Sequence, residues 1–322
     1  MLDKINSYIA QLPLEVEPRG LYEPIRYVLS MGGKRIRPML MTMAYSLWRN
    51  DAERILPQAV ALETYHNFTL LHDDVMDKAD VRRGMPTVHK KWDENTAILS
   101  GDNMLVLAFQ WMQQSDVEGW EKVMPQVLAT FTQTALEIDH GQQYDVDFES
   151  RNDVTEAEYI EMIRLKTSVL LACAMKIGAL MAGADAKDVE LLYRFGEAMG
   201  LAFQLQDDYL DVYGDPAVFG KAIGGDICNN KKTYMLINAL LKAEGEDKAE
   251  LQRWIDAKEF DRTEKIAAVT AIYNKVGIDK LAKAKMEEYY AAAIHCLDAV
   301  NVKEEHKTAL REYAAKMMKR NK

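Results

Sequence analysis

The sequence predicts an all-α protein, a single large bundle of about ten to thirteen helices around a central apolar cavity. Three observations carry this expectation. The eight prolines stand at 13, 18, 24, 38, 57, 86, 125 and 216, which leaves 126–215 and 217–322 free of proline. Both stretches are rich in Ala, Leu, Glu, Lys and Met, the residues that lose least on entering a helix. No segment alternates polar and apolar residues with β-branched enrichment, so no sheet is expected.

In chain order the periodicity places helices near 20–31, 35–49, 53–78, 94–115, 118–147, 155–182 and 186–213. Further helices fall near 226–243, 249–257, 261–275, 279–299 and 303–320. Thr155 with Glu158 has capping-box spacing ahead of Ile160 and Ile163. Asp185 precedes the run from Val189 to Val212, and Gly178, Gly183 and Gly196 interrupt or end the apolar runs. Segments 165–183 and 199–212 are apolar on most sides, as central helices are. No Ser/Gly linker, low-complexity tract or short-period repeat divides the chain, so one domain spanning 1–322 is expected.

With 40 basic and 50 acidic residues the net charge is −10, opposite to the balance of a nucleic-acid binder. An anionic ligand must then be held by a local basic cluster or through a metal. The three cysteines, Cys173, Cys228 and Cys296, show neither disulfide nor zinc spacing, which fits a reducing cytoplasm. The N-terminal stretch carries Asp3, Glu15 and Glu17 and lacks a signal-peptide pattern. The longest apolar run, Val169 to Ala184, is interrupted by Lys176 and is shorter than the ~20 residues of a membrane span. A soluble protein without stable membrane insertion is expected.

The chemistry concentrates first in His66 to Gly84, HNFTLLHDDVMDKADVRRG. Asp73, Asp74 and Asp77 have DDxxD spacing, with Asp73 and Asp77 one helical turn apart on one face. Such a face repels itself unless a cation covers it. Mg²⁺ shared with a phosphate suits hard oxygen ligands of this kind, while a lone DDxxD is also compatible with a solvated acidic face. Arg82 and Arg83 follow directly, and His66 precedes Asp73 by about two turns on the same face. Upstream, SMGGKRIRP (30–38) sets two glycines beside Lys34, Arg35 and Arg37, a composition suited to a phosphate cradle or to a solvated helix connection.

A second acidic cluster stands in FQLQDDYLDVYGD (203–215), where Asp207, Asp208 and Asp211 repeat the DDxxD spacing on an otherwise apolar helix. Three carboxylates on an apolar helix are costly unless compensated, which argues against a solvated face here. Lys221, Lys231 and Lys232 follow, as the arginines follow the first cluster. Two acidic faces opposed across a bundle suit two or three Mg²⁺ ions around one diphosphate.

These pieces together resemble the trans-isoprenyl diphosphate synthases, the polyprenyl synthetase family of farnesyl and geranylgeranyl type. The matching stretches are GGKRIRP (32–38), ETYH (63–66), LLHDDVMD with RRG (70–84), GQxxD (141–145), KT (166–167), FQLQDDYLD (203–211), FGK (219–221) and KKTY (231–234). The resemblance implies an isoprenoid-synthase-type fold, usually homodimeric, that condenses isopentenyl diphosphate head-to-tail onto an allylic diphosphate. Mg²⁺-assisted ionisation would yield an allylic cation, the homoallylic double bond would attack it, and diphosphate would take up the released proton. Carried over by position, Asp73, Asp74, Asp77, Asp207, Asp208 and Asp211 would be metal ligands or their close supports. Arg82, Lys166, Lys221 and Lys231 would contact the allylic diphosphate, and Lys34, Arg37, His66 and Arg83 would hold isopentenyl diphosphate. Thr167 and Gln204 would line the reacting centre.

Product length follows from the residues before Asp73. Phe68 lies about 7–8 Å and Tyr65 about 12 Å back along the helix axis, so bulky rings meet a growing tail early. The residue four before Asp73 is Thr69, and the two-residue insertion of bacterial farnesyl synthases is missing, a combination that resembles geranylgeranyl synthases. A C20 product is expected, with C15 next. A terpene cyclase is disfavoured by DDYLD as second motif and by the additional basic cradle. A metal phosphohydrolase built on His72-Asp73 lacks supporting histidines, and an inactive partner subunit would have lost aspartates that this chain keeps.

Overall fold

Helices account for nearly all regular structure in the computed structural model, which describes residues 1–215 and 223–319. In chain order they are α1 (Leu2–Ala10), α2 (Arg19–Ser30), α3 (Ile36–Tyr45), α4 (Leu56–Met76), α5 (Val88–Lys91), α6 (Glu94–Met112), α7 (Trp120–Ser150) and α8 (Glu156–Ile163). There follow α9 (Val169–Ala182), α10 (Ala186–Tyr213), α11 (Gly225–Cys228), α12 (Tyr234–Lys242), α13 (Gly245–Asp256), α14 (Arg262–Lys275), α15 (Ile278–Ala299) and α16 (Glu304–Met318). The chain divides into two compact units. The first comprises 1–131, 174–189 and 302–306, the second 132–173, 190–301 and 307–322.

In the first unit α4 is the central element and packs along α6, with α1 and α3 also against it. From Leu56 to Tyr65 nearly every side chain of α4 is buried, including the polar Gln58, Glu63 and Thr64. That is the pattern of a helix surrounded on all sides. The buried charge of Glu63 is matched by Arg35, 2.9 Å away and equally buried.

In the second unit α12 packs against α8, α14 and α15, and α11 against α14. Leu205, Met235, Leu251, Ile278 and Ala282 are wholly buried at its centre. The predicted capping box closes the start of α8: Thr155 Oγ1 accepts from the Glu158 N–H at 3.2 Å, and Glu158 Oε2 accepts from the Thr155 N–H at 2.9 Å.

Four features depart from the sequence expectation. Val81–Arg82 pairs antiparallel with Met85–Pro86, a small ribbon where no sheet was expected. Two-residue strands are too short to show alternation, so only the turn chemistry could announce them. The helix expected over 226–243 is two pieces, because Asn230 is left-handed (φ 50°) and Thr233 caps a new start through the Leu236 N–H. Gly183 ends α9 as expected, but Gly178 lies inside it, where a Cβ would overlap the Met41 carbonyl on α3, and Gly196 lies inside α10 against the Ala172 backbone. Glycine there permits close helix packing and interrupts nothing. Finally, Arg164–Ser168 forms a turn of π-helix within the helix expected over 155–182, which otherwise runs unbroken over 156–182 as expected. That stretch is long and apolar enough to cross a membrane, yet 83% of its apolar window is buried inside the protein. Burial of that kind marks a core helix.

Candidate active site

The first DDxxD occupies the final turn of α4. Asp77 still donates its N–H to the Asp73 carbonyl at 2.8 Å, so the one-turn spacing of the two carboxylates holds. The helix closes just beyond: the Ala79 N–H reaches the Asp74 carbonyl at 3.0 Å and the Lys78 N–H the Val75 carbonyl at 3.2 Å, with Lys78 left-handed. Three carboxylates therefore stand at the negative end of a 21-residue helix. The helix dipole disfavours anions there by roughly 0.3–1 kcal/mol each, so the site is electrostatically suited to a cation.

The three do not share one environment. Asp74 is buried and gripped by Arg82, whose Nε lies 3.0 Å and Nη2 2.6 Å from its Oδ1. Asp73 is half-buried and Asp77 exposed. The two arginines are delivered by the ribbon. Arg83 (φ 52°) and Gly84 (φ 76°) are its two turn residues, a left-handed pair that matches the strand twist. Tyr27 OH pins the far side of the ribbon by donating to the Pro86 carbonyl at 2.8 Å.

Arg83 reaches back to the glycine cradle. Its guanidinium donates to the Gly32 carbonyl and, at 3.4 Å, to Asn67 Oδ1. A Cβ on Gly33 would sit 3.0 Å from the Arg83 Cζ, so the second glycine supplies the space the guanidinium needs. Arg35 is turned inward to Glu63, the Leu29 carbonyl (2.7 Å) and Asn6 (3.2 Å), so the middle cation of KRIR is structural. Lys34 is exposed and Arg37 half-buried. His66 is held well below the ordinary histidine range, first by burial and then by Arg37, Arg83, Arg82 and Arg35 around it. It is a neutral imidazole among guanidiniums, a setting completed by an anion.

Behind the motif, Tyr65 is fully buried and meets Phe68 (5.4 Å between ring centres) and Phe131 (5.3 Å) edge-on. Phe109 lies 4.6 Å from Phe131. Phe68 is half-buried in front of Tyr65, and Thr69 turns its hydroxyl to the His66 carbonyl at 2.9 Å. Phe109 and Phe131 extend this aromatic cluster from distant helices, and neither is among the residues expected from the sequence. His72 Nε2 lies 3.1 Å from the Ile98 carbonyl.

The second DDxxD lies in the last two turns of α10, again at a negative helix end. Asp208 is buried and bound by Tyr159 OH and by Gln204 Nε2 at 3.0 Å. Burial, and then the neighbouring Asp226, push its carboxyl up to about 7. Asp211 accepts the backbone N–H groups of Gly225 (3.3 Å) and Asp226 (2.9 Å). Asp207 is half-buried. Gln204 also accepts from the Thr167 hydroxyl at 3.1 Å, so the two residues expected at the reacting centre are joined.

Lys166 and Thr167 sit on the π-turn, a distortion that occurs often at functional sites. Gly141 of GQxxD lies against it, and a Cβ there would overlap the Lys166 backbone nitrogen. Lys166 Nζ pairs with Asp145 at 2.6 Å. Burial would raise the Asp145 carboxyl, but Lys231 and Lys166 outweigh it and hold it below the ordinary range. Lys231 thus stands in the field of Asp145 and Asp208. Lys221, expected beside it, lies outside the described residues.

Among the described residues no three of these side chains already surround a common point. Asp74, Asp208 and Asp211 are each held by protein donors. The donor set of each motif, all oxygen at a negative helix end, is nonetheless of the kind a hard divalent cation takes.

The sequence model of the polyprenyl synthetase family matches residues 18–274. This chain belongs to that family. The polyprenyl synthetase relatives include the geranylgeranyl diphosphate synthase of Sulfolobus acidocaldarius, 36% identical over 301 residues, which cover 94% of this chain and 89% of that protein. A solved geranylgeranyl pyrophosphate synthase is 40% identical, with a TM-score of 0.91 over 100% of this chain and 99% of its own. The geranylgeranyl pyrophosphate synthase from Corynebacterium glutamicum, solved in complex with isoprenyl diphosphate and magnesium, is 26% identical with a TM-score of 0.86, over 99% and 97% of the two chains.

Proposed function

We infer that this polyprenyl synthetase is a short-chain trans-prenyltransferase that condenses isopentenyl diphosphate with dimethylallyl, geranyl or farnesyl diphosphate and delivers mainly geranylgeranyl diphosphate. The observation that carries this reading is the pair of DDxxD motifs at helix C-termini, with an arginine-lined cradle beside the first. A cyclase acting on one diphosphate has no use for that second anion site.

Asp73, Asp74, Asp77, Asp207, Asp208 and Asp211 are the proposed magnesium ligands or their close supports, and Asp74, Asp208 and Asp211 are oriented by protein donors. Two or three magnesium ions, when bound, would neutralise charge on the departing diphosphate. The chain's own part is positioning. Arg82, Lys166, Lys221 and Lys231 bind the allylic diphosphate, while Lys34, Arg37, His66 and Arg83 hold isopentenyl diphosphate. Thr167 and Gln204 present oxygens to the developing cation, and the aromatic floor keeps water from it.

Phe68 sets the product length in this reading. Its ring stands in front of Tyr65, whose own ring is closed off by Phe131. Purified protein with Mg²⁺, isopentenyl diphosphate and farnesyl diphosphate should give geranylgeranyl diphosphate on chromatography. Phe68→Ala should shift the product by about one or two C5 units, because the freed length before Tyr65 is roughly 4–5 Å of helix axis. No elongation of any allylic starter would sink the prenyltransferase reading. An unchanged distribution from Phe68→Ala would place the floor elsewhere.

We also propose that the two units act as one domain, since the family match at 18–274 runs through both. A cytoplasmic homodimer is the proposed working form. Ile98, Leu99 and Val106 expose 42–64% of their surface along α6, an apolar stripe suited to a second copy. Light scattering should return about twice the chain mass of 36.7 kDa.

A further inference from the structure

Lys265, on α14, is a buried lysine that pairs with no carboxylate among the described residues. Only 1% of its surface is exposed. Its ammonium lies 2.8 Å from Asn230 Oδ1, 3.4 Å from the Cys228 carbonyl and 4.2 Å from the centre of the Phe260 ring. Burial holds it below the ordinary lysine range. A buried ammonium without a carboxylate is costly to keep. Its donors must therefore matter where they end, and both end on the turn 224–231.

That turn carries one residue of the second half-site, Lys231, and holds another, Asp211. At one end its Gly225 and Asp226 N–H groups grip the Asp211 carboxylate, and the Gly224 N–H donates to the Asp211 carbonyl at 2.6 Å. At the other end Asn230 precedes Lys231 in a left-handed conformation (φ 50°). The Asn230 amide is used at both ends, its Oδ1 by Lys265 and its Nδ2 by the Ile255 carbonyl at 2.9 Å. Lys231 then ties back through its N–H to the Asp226 carbonyl at 2.9 Å. The path from Lys265 to both functional groups is continuous.

We propose that Lys265 is a positioning residue for the reaction: through Asn230 and the Cys228 carbonyl it sets the turn that aims Lys231 at the allylic diphosphate and fixes Asp211 for the metal. The proposal rests on the roles given above to Lys231 and Asp211. Lys265 touches no reacting atom. Its effect is confined to the allylic half of the site, and that confinement makes it testable.

Steady-state kinetics of the whole protein with each substrate varied separately decide the matter, with Lys231→Ala as reference. Lys265→Met should raise the KM for the allylic diphosphate and the half-saturating Mg²⁺ concentration about tenfold, and leave the KM for isopentenyl diphosphate within about twofold. Asn230→Gly keeps the left-handed geometry while removing the amide, and should reproduce the same split. Combining the two should add little, because both break one connection. If Lys265→Met does not fold, Asn230→Gly decides alone. Equal changes in both KM values, or no change beside an impaired Lys231→Ala, overturn the proposal. If Lys231→Ala itself leaves the allylic KM unchanged, the role given to Lys231 falls, and the proposal falls with it.

Discussion

Alanine at Asp73 or at Asp207 is expected to lower kcat by about 10²–10³-fold or more, the scale of removing one preorganised stabiliser of developing charge. Both positions are half-buried at helix C-termini, where a carboxylate is electrostatically unfavourable and alanine is the better helix former. The fold should stay intact in both variants. Asp74→Ala is different, since it releases the Arg82 guanidinium from a contact of 2.6 Å and disturbs a cation together with a carboxylate. Turnover measured across a Mg²⁺ titration, beside a thermal melt followed by circular dichroism, separates these cases. A kcat within a few-fold of wild type for either Asp73→Ala or Asp207→Ala would contradict the metal assignment.

The largest effect on stability is expected from Glu63→Ala. Its carboxylate and the Arg35 guanidinium are 2% and 3% exposed and 2.9 Å apart. Removing one member of such a pair leaves an uncompensated buried charge and costs about 3–5 kcal/mol. Asn67 also loses a partner, as its Nδ2 lies 3.3 Å from Glu63 Oε1, and Asn67 in turn supports Arg83. The urea midpoint should fall at an unchanged m-value. The KM for isopentenyl diphosphate should rise as well. Replacing Arg35 and Glu63 together by apolar residues should recover much of the stability, and a single-variant loss below about 1 kcal/mol would contradict the burial argument.

The helical architecture was legible because proline positions and helix-forming composition are local properties. The breaks were less so. The start of α12 depends on the left-handed Asn230, which the pattern of apolar residues around 226–243 conceals. The ribbon at 81–86 escaped because its strands are two residues long, although Arg83-Gly84 carried a turn signal. The central place of α4 was masked by Gln58, Glu63 and Thr64, polar residues that look solvated until the buried Arg35 is found opposite.

For the site, the repeated DDxxD spacing pointed to six aspartates, whereas Lys166, Thr167 and Gln204 came only from the family resemblance; Thr167 and Gln204 share one network with Asp208. What the spacing left undivided was their environments. Tyr159 and Arg82 reach Asp208 and Asp74 from 49 and 8 residues away, and the Asp211 partners come from a separate turn. Residue type and spacing are written along the chain, so the sequence determined the fold class and the family. How Asp74, Asp208 and Asp211 are held, the inward turn of Arg35 to Glu63 and the rings packed behind Phe68 were decided by the tertiary structure. Each depends on a contact between residues distant in sequence, and burial gives such contacts their energy.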